Sequence, residues 1–171
     1  MKKLFTFFLV LCCLSGCAGG VSSDFYRPTD ATPLSLMLTL NDRTIHSEAT
    51  LYTDVENSDY TVPDEATASA LFSEDNPLDL SLIESYAIRS SEKTKDEIII
   101  LTLKEESGAE KAKLWLSSRI AARCKAFSSA STDQNSLINQ KGKFVYCVLC
   151  DNAPAVGTLL LSCISAEYGD A

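Results

Sequence analysis

The chain opens with an unbroken apolar block and then changes rhythm several times. Leu4 to Leu14 is an eleven-residue run of Leu, Phe, Val and Cys with a single Thr, set behind Lys2 and Lys3. A run of that length suits the apolar core of a secretory signal and falls short of the ~20 residues a membrane-spanning helix needs. Residues 1–16 are therefore expected to be a signal peptide. Ala18 to Pro33 has no period and is dominated by Gly, Ser, Thr and Pro, so residues 17–33 read as a flexible tether.

Leu34-Ser-Leu-Met-Leu-Thr-Leu40 partly alternates apolar with polar positions. Asn41-Asp42 supplies a turn, and Thr50 to Val55 reads as a returning strand. Residues 34–62 are accordingly expected to be an N-terminal extension holding a hairpin, with the folded domain spanning 63–168. Asp64 is placed to cap a short helix through Leu71 and Phe72, and Asp79 to Ser85 reads as a further helical turn with Leu80 and Ile83 facing inward. Tyr86–Ser90 and Glu97–Leu103 predict two strands joined by the polar turn Ser91–Asp96. Ile98 and Ile100 point to one face of the second strand, and Ile99, Leu101 and Leu103 to the other. Apolar residues on both faces mark a central strand covered on both sides.

Gly108 to Phe127 carries Ala109, Ala112, Leu116, Ile120, Cys124 and Phe127 at three- and four-residue steps, the stripe of an amphipathic helix. Glu105, Glu106 and Glu110 lie near its start and Arg119, Arg123 and Lys125 near its end, an order that complements the helix dipole without a ligand. Gly142 turns the chain into Lys143–Cys150, a second strand apolar on both faces. Asn152 and Pro154 then open a last helix with Val156, Leu159, Leu160, Cys163 and Ile164 on one side. The expected fold is α+β: a small, mainly antiparallel sheet of about three to five strands packed with two or more helices.

The 171 residues carry a net charge of −8, which becomes −10 once residues 1–16 leave with Lys2 and Lys3. So acidic a surface repels phosphate backbones and anionic headgroups, which excludes nucleic acid as a partner and polybasic attachment to membranes.

Seven cysteines are present. Cys12 and Cys13 fall in the signal run, and Cys124, Cys147, Cys150 and Cys163 in the body. Cys147-Val-Leu-Cys150 has redox-motif spacing, yet a redox pair needs its first thiol at a helix N-terminus. Three residues of strand separate the two Cα atoms by roughly 10 Å, beyond disulfide reach. No second C-x-x-C or paired His completes a zinc site. Small apolar packing is the expected role of these thiols.

Ser90-Ser-Glu-Lys93 matches S-x-x-K, but the S-D-N and K-T-G partners of serine acyl-enzymes are missing. His46, the single histidine, sits in a polar stretch with nothing to tune it. Asp54, Glu56, Asp59, Asp64 and Glu65 lack the glycine that a calcium loop turns on. Lys141-Gly142-Lys143 lacks the rest of a phosphate loop. No catalytic residue, metal site or cofactor emerges.

The apolar run ends in Leu14-Ser15-Gly16-Cys17, which resembles the bacterial lipobox. The resemblance implies that Cys17 receives diacylglycerol on its sulfur and becomes the mature N-terminus, two acyl chains giving stable anchoring where one holds weakly. Leu82 to Tyr86, Asp96-Glu97-Ile98, the charged helix to Phe127, Lys141-Gly142 with Tyr146, and Asp151 extend the likeness. From about Leu78 to Leu159 the chain resembles the bacterial lipoproteins catalogued as domain of unknown function 4358. It departs from them at Cys147 and Cys150, where that family has apolar residues. The resemblance implies the outer face of a cell membrane and carries over no residue beyond Cys17.

The expected partners are membrane lipid through Cys17 and, for the body, an envelope protein or a small ligand. The primary expectation is a non-catalytic binding or interaction module. The alternatives are a thiol-dependent envelope enzyme using Cys147 and Cys150, and a structural spacer.

Overall fold

Glu97–Leu103 is a run of β-branched and leucine side chains with no glycine or proline, and it forms the centre of the sheet. The computed structural model describes residues 31–40, 48–56, 60–72, 78–132 and 134–168. Within them the elements follow as α1 (Pro33–Thr39), β1 (Thr50–Thr53), α2 (Glu65–Phe72), β2 (Ile83–Ser90), β3 (Glu97–Leu103), α3 (Ala109–Ala126), β4 (Ser136–Lys141), β5 (Phe144–Leu149) and α4 (Ala153–Tyr168). The strands make one sheet in the order β1-β2-β3-β5-β4, every neighbour antiparallel. This is the expected α+β architecture, at the upper end of the expected strand number.

Both faces of β3 and β5 are buried, as their two-sided apolar pattern predicts. Ile99, Leu101 and Leu103 join Val145, Cys147 and Leu149 under α2 and α3, meeting Leu71, Phe72, Ala112, Trp115, Leu116 and Ile120. On the opposite face, Ile98 and Ile100 join Phe144, Tyr146 and Val148 against Leu36 and Met37 of α1 and Val156, Leu160 and Ile164 of α4. Each such aliphatic side chain contributes about 1.5–3 kcal/mol on full burial, so these two strands carry a large share of the buried apolar surface.

Local chemistry sets the helix ends. Asp64 Oδ1 accepts from Thr67 N at 2.7 Å ahead of α2, and Asp79 Oδ1 accepts from Ser81 N at 3.0 Å ahead of a 3₁₀ turn at Leu80–Leu82. Those hydrogen bonds hold both carboxyls below their ordinary range. A lowered folded pKa means each cap stabilises above the unfolded value and is lost as pH falls through the folded one.

The structure corrects the reading of residues 34–62. Leu34–Leu40, expected as a strand, instead runs through helix α1 as far as Thr39, with Leu40 as its C-cap. Thr32 Oγ1 accepts from Ser35 N (3.1 Å), Ser35 Oγ accepts from Thr32 N (2.8 Å), and Pro33 occupies the first turn. That reciprocal capping box nucleates a helix, and Leu36, Met37 and Leu40 then share its buried side. Thr50–Thr53 is a strand as expected, but it pairs with β2, with Thr50 opposite Ser90 and Thr53 opposite Ala87. Described elements of the folded body therefore reach N-terminal of Pro63, to α1 and its Thr32 cap, which takes the last residues of the expected tether. The rest of that tether, residues 1–16 and Cys17 lie outside the described residues.

Smaller differences have equally local causes. The helix expected over Asp79–Ser85 shrinks to the 3₁₀ turn because Ile83 already pairs with Leu103. One turn cannot also bury Leu80, which is 49% exposed. β4 carries no strand signal of its own, because Ser-Leu-Ile-Asn-Gln-Lys has only two apolar residues. It forms by pairing with β5 across a tight turn at Gly142, whose φ of 55° suits glycine. α4 crosses β4 closely because Gly157 has no side chain: a Cβ there would collide with Leu137 Cδ2.

Candidate functional site

The densest concentration of charge in the described structure lies where the end of α3 meets the β2–β3 loop. Glu97 opens β3 and is 1% exposed, while Arg119 points from α3 and is 6% exposed. Arg119 Nε donates to Glu97 Oε2 and Nη2 to Glu97 Oε1, both at 2.9 Å, and Nη1 donates to Leu71 O at 3.2 Å. This two-pronged pair is the geometry in which a guanidinium matches a carboxylate best. One turn on, Arg123 Nη2 donates to Ser91 O (2.6 Å) and Thr94 O (2.8 Å), and its Nε donates to Lys95 O (3.3 Å). Arg123 Nε also approaches Glu97 Oε1 at 4.0 Å, and its guanidinium lies 4.9 Å above the Phe127 ring.

These contacts correct the dipole reading of Arg119 and Arg123. Their charges sit in the protein, tying α3 to the sheet and to the loop carbonyls. The sequence signal was present: Arg119 and Arg123 continue the three- and four-residue steps from Ala112 and Leu116. Each Arg119 donor nitrogen and both Glu97 oxygens already have partners, so the cluster presents no idle group to a substrate. Its chemistry is positional: it holds the loop.

The four described cysteines are all free thiols. Cys147 packs under α3 and Cys150 under α4, on opposite sides of the sheet. Burial pushes the Cys147 thiol far above its ordinary value, and the nearby Glu97 charge adds to the rise. Burial likewise raises Cys150. A thiolate is the reactive form, so chemistry at this pair would start from enclosed, neutral sulfurs. Peptide-resolved alkylation of the native protein is expected to modify half-buried Cys163 well before Cys147. Fast labelling of Cys147 would contradict the packing role.

Ser90 is buried in β2, whereas Lys93 is exposed and pairs with Glu48. The two do not form a nucleophile–base pair. Ser91 Oγ instead accepts from Lys93 N (3.2 Å) and Thr94 N (3.1 Å), closing the loop on itself. Asp54 Oδ1 accepts from Tyr86 N at 3.2 Å, a tie between β1 and β2. His46 and Asp59 lie outside the described residues. Among the described residues, no three His, Cys, Asp or Glu side chains converge for a metal, and no helix is long and apolar enough to cross a membrane.

One groove remains. Ser117, Ile120 and Ala121 of α3 face Ser136, Leu137 and Ile138 of β4 across an open cavity of about 340 Å³, which Ser131 also lines. Ser131 and Ser136 hydroxyls are 2.6 Å apart, and Ser136 Oγ also donates to Thr132 O at 2.9 Å. No titratable side chain lines the groove, so its contribution is shape and hydroxyl hydrogen bonding rather than acid–base chemistry. No local pattern announces it, since it exists only where β4 meets α3.

Comparison with family models, curated proteins and solved structures gives no match. The described body holds an internally satisfied charge cluster, enclosed thiols and an uncharged groove.

Proposed function

We propose that this chain is a lipoprotein held on the extracytoplasmic face of a cell membrane by diacylglycerol on Cys17, its body a non-catalytic binding or interaction module. The observation that carries the reading is Leu14-Ser15-Gly16-Cys17 directly after an eleven-residue apolar run behind Lys2 and Lys3. The likeness of residues 78–159 to the lipoproteins of unknown function 4358 belongs to the same proposal and rests on the residues quoted for it.

Two physical features support it. The acidic body repels anionic headgroups, so lasting membrane contact requires acyl chains, which contribute about 0.8 kcal/mol per buried methylene. Among the described residues, the buried thiols and the buried carboxylate are also unsuited to act as nucleophile or base. Cys147 and Cys150 are neutral and enclosed, and the Glu97–Arg119 pair is saturated. A body of this kind offers surface rather than reactivity, with an envelope protein or a small uncharged ligand as the fitting partner and nucleic acid excluded by charge.

Cys17→Ala is the test. The variant is expected to accumulate unprocessed or to leave the membrane fraction, while the wild-type chain stays there through high salt and is released by detergent. A Cys17→Ala chain that is processed normally and retained in the membrane would contradict the anchor.

A further inference from the structure

The two edges of the sheet are treated differently. β1 has four residues, and its outer side is already engaged: Thr53 N donates to Thr61 O and Thr61 N to Leu51 O, both at 3.1 Å, bridging Tyr52 to Thr61. β4 has six residues in unbroken register with β5, without bulge or proline. Proteins ordinarily protect an edge of that length by bulges, prolines or inward charges, and β4 carries only a terminal lysine, Lys141.

The direction of its backbone groups follows from the register. Cys150 N donates to Asn135 O at 3.0 Å, and antiparallel bonding alternates along the ladder. Leu137, Asn139 and Lys141 thus face their amides and carbonyls to β5, and Ser136, Ile138 and Gln140 face theirs outward. Ser136 N bonds locally to Thr132 O (2.9 Å) and Gln140 N to Asn139 Oδ1 (2.8 Å), local bonds of the kind an incoming strand replaces. Ile138 lies at the centre of the outward set.

We infer that β4 is the docking edge for a second copy of this chain, joined by antiparallel strand pairing about a two-fold axis through Ile138. The strand is self-complementary in that register. Ile138 meets its own counterpart, Ser136 meets Gln140, and Leu137 meets Asn139, so every outward amide and carbonyl finds a partner. The register sets no like charges opposite each other. In a chain of net charge −8, β4 itself holds no acidic residue, so the pairing sets no carboxylates of the two strands against each other. Beside the strand, the groove against Ser117 and Ile120 gives room for side chains of the added strand. A two-fold axis perpendicular to the sheet also keeps the α1 helices of both copies on one face. Two chains anchored in one membrane can therefore pair, although the proposal does not depend on anchoring.

The test uses the full chain in detergent, with its mass read by light scattering corrected for detergent, and cysteine variants of β4. Twice the chain mass is expected. Under mild oxidation Ile138→Cys should give a disulfide-linked dimer above the wild-type background, because Cα atoms of a hydrogen-bonded antiparallel pair lie about 5.5 Å apart, within disulfide reach. Asn139→Cys, facing Leu137 of the other copy, should cross-link far less. Ile138→Lys, which sets two ammonium groups opposite each other, should raise the dimer dissociation constant at least about tenfold, read on chain that circular dichroism shows folded because Ile138 also packs against the core on the α3 face. A chain of single mass, or equal cross-linking at Ile138→Cys and Asn139→Cys, would overturn the inference, including the case in which β4 pairs with a different protein.

Discussion

Replacing Arg119 by alanine is expected to cost about 3–5 kcal/mol of folding stability, as expected when one partner of a buried ion pair is removed. Glu97 would keep its burial and lose both charge-assisted hydrogen bonds of 2.9 Å. Leu71 O would lose its donor as well. Arg123, 4.0 Å from the same carboxylate, stays in place and keeps the cost from running higher. Replacing both Arg119 and Glu97 by apolar residues of similar volume should recover much of the loss, because no uncompensated charge is then left inside. Urea unfolding of the two single variants and the double variant measures this. A single-variant loss below about 1 kcal/mol, the scale of an exposed pair, would mean that the pair is solvated in solution.

Trp115→Ala should be of the same order, about 3–5 kcal/mol, since it empties the largest fully buried side chain of the α3 face. Trp115 packs 5.7 Å from Phe72, ring centre to ring centre, and Phe72 meets Tyr86 edge-on at 5.1 Å. Trp115→Phe should cost less than half as much. Among the described residues the indole Nε1 has no hydrogen-bond partner, so the smaller ring loses packing but also relieves a buried donor that no described acceptor meets. As the single tryptophan of the chain, Trp115 reports its own burial. Native emission should be blue-shifted and move red on unfolding, with circular dichroism following the variants. Equal losses for Trp115→Phe and Trp115→Ala would show that the indole nitrogen does find a partner.

The sequence was legible where one periodicity spoke alone. β3 and β5, apolar on both faces, gave the sheet centre, the two-sided burial and the opposed positions of Cys147 and Cys150. The stripe from Ala109 to Cys124 gave α3, and Asp64 gave the cap of α2. Legibility failed where two signals competed. In Leu34–Leu40 the alternating pattern was louder than the Thr32–Ser35 capping box, yet the box and Pro33 decided for a helix. β4 was missed because an edge strand borrows its stability from one neighbour and needs little apolar sequence of its own.

The charge cluster was half-legible. Glu97 and Arg119 were each placed on the right element, but their pairing depends on how α3 crosses β3, which no local pattern contains. The groove between α3 and β4 is tertiary for the same reason.

Mass spectrometry of the mature N-terminal peptide, taken from protein extracted out of membranes, tests the anchor most directly. The expected result is a chain that begins at Cys17 and carries the mass of diacylglycerol on that residue. A mature chain that starts elsewhere, or whose Cys17 is an unmodified thiol, would contradict it.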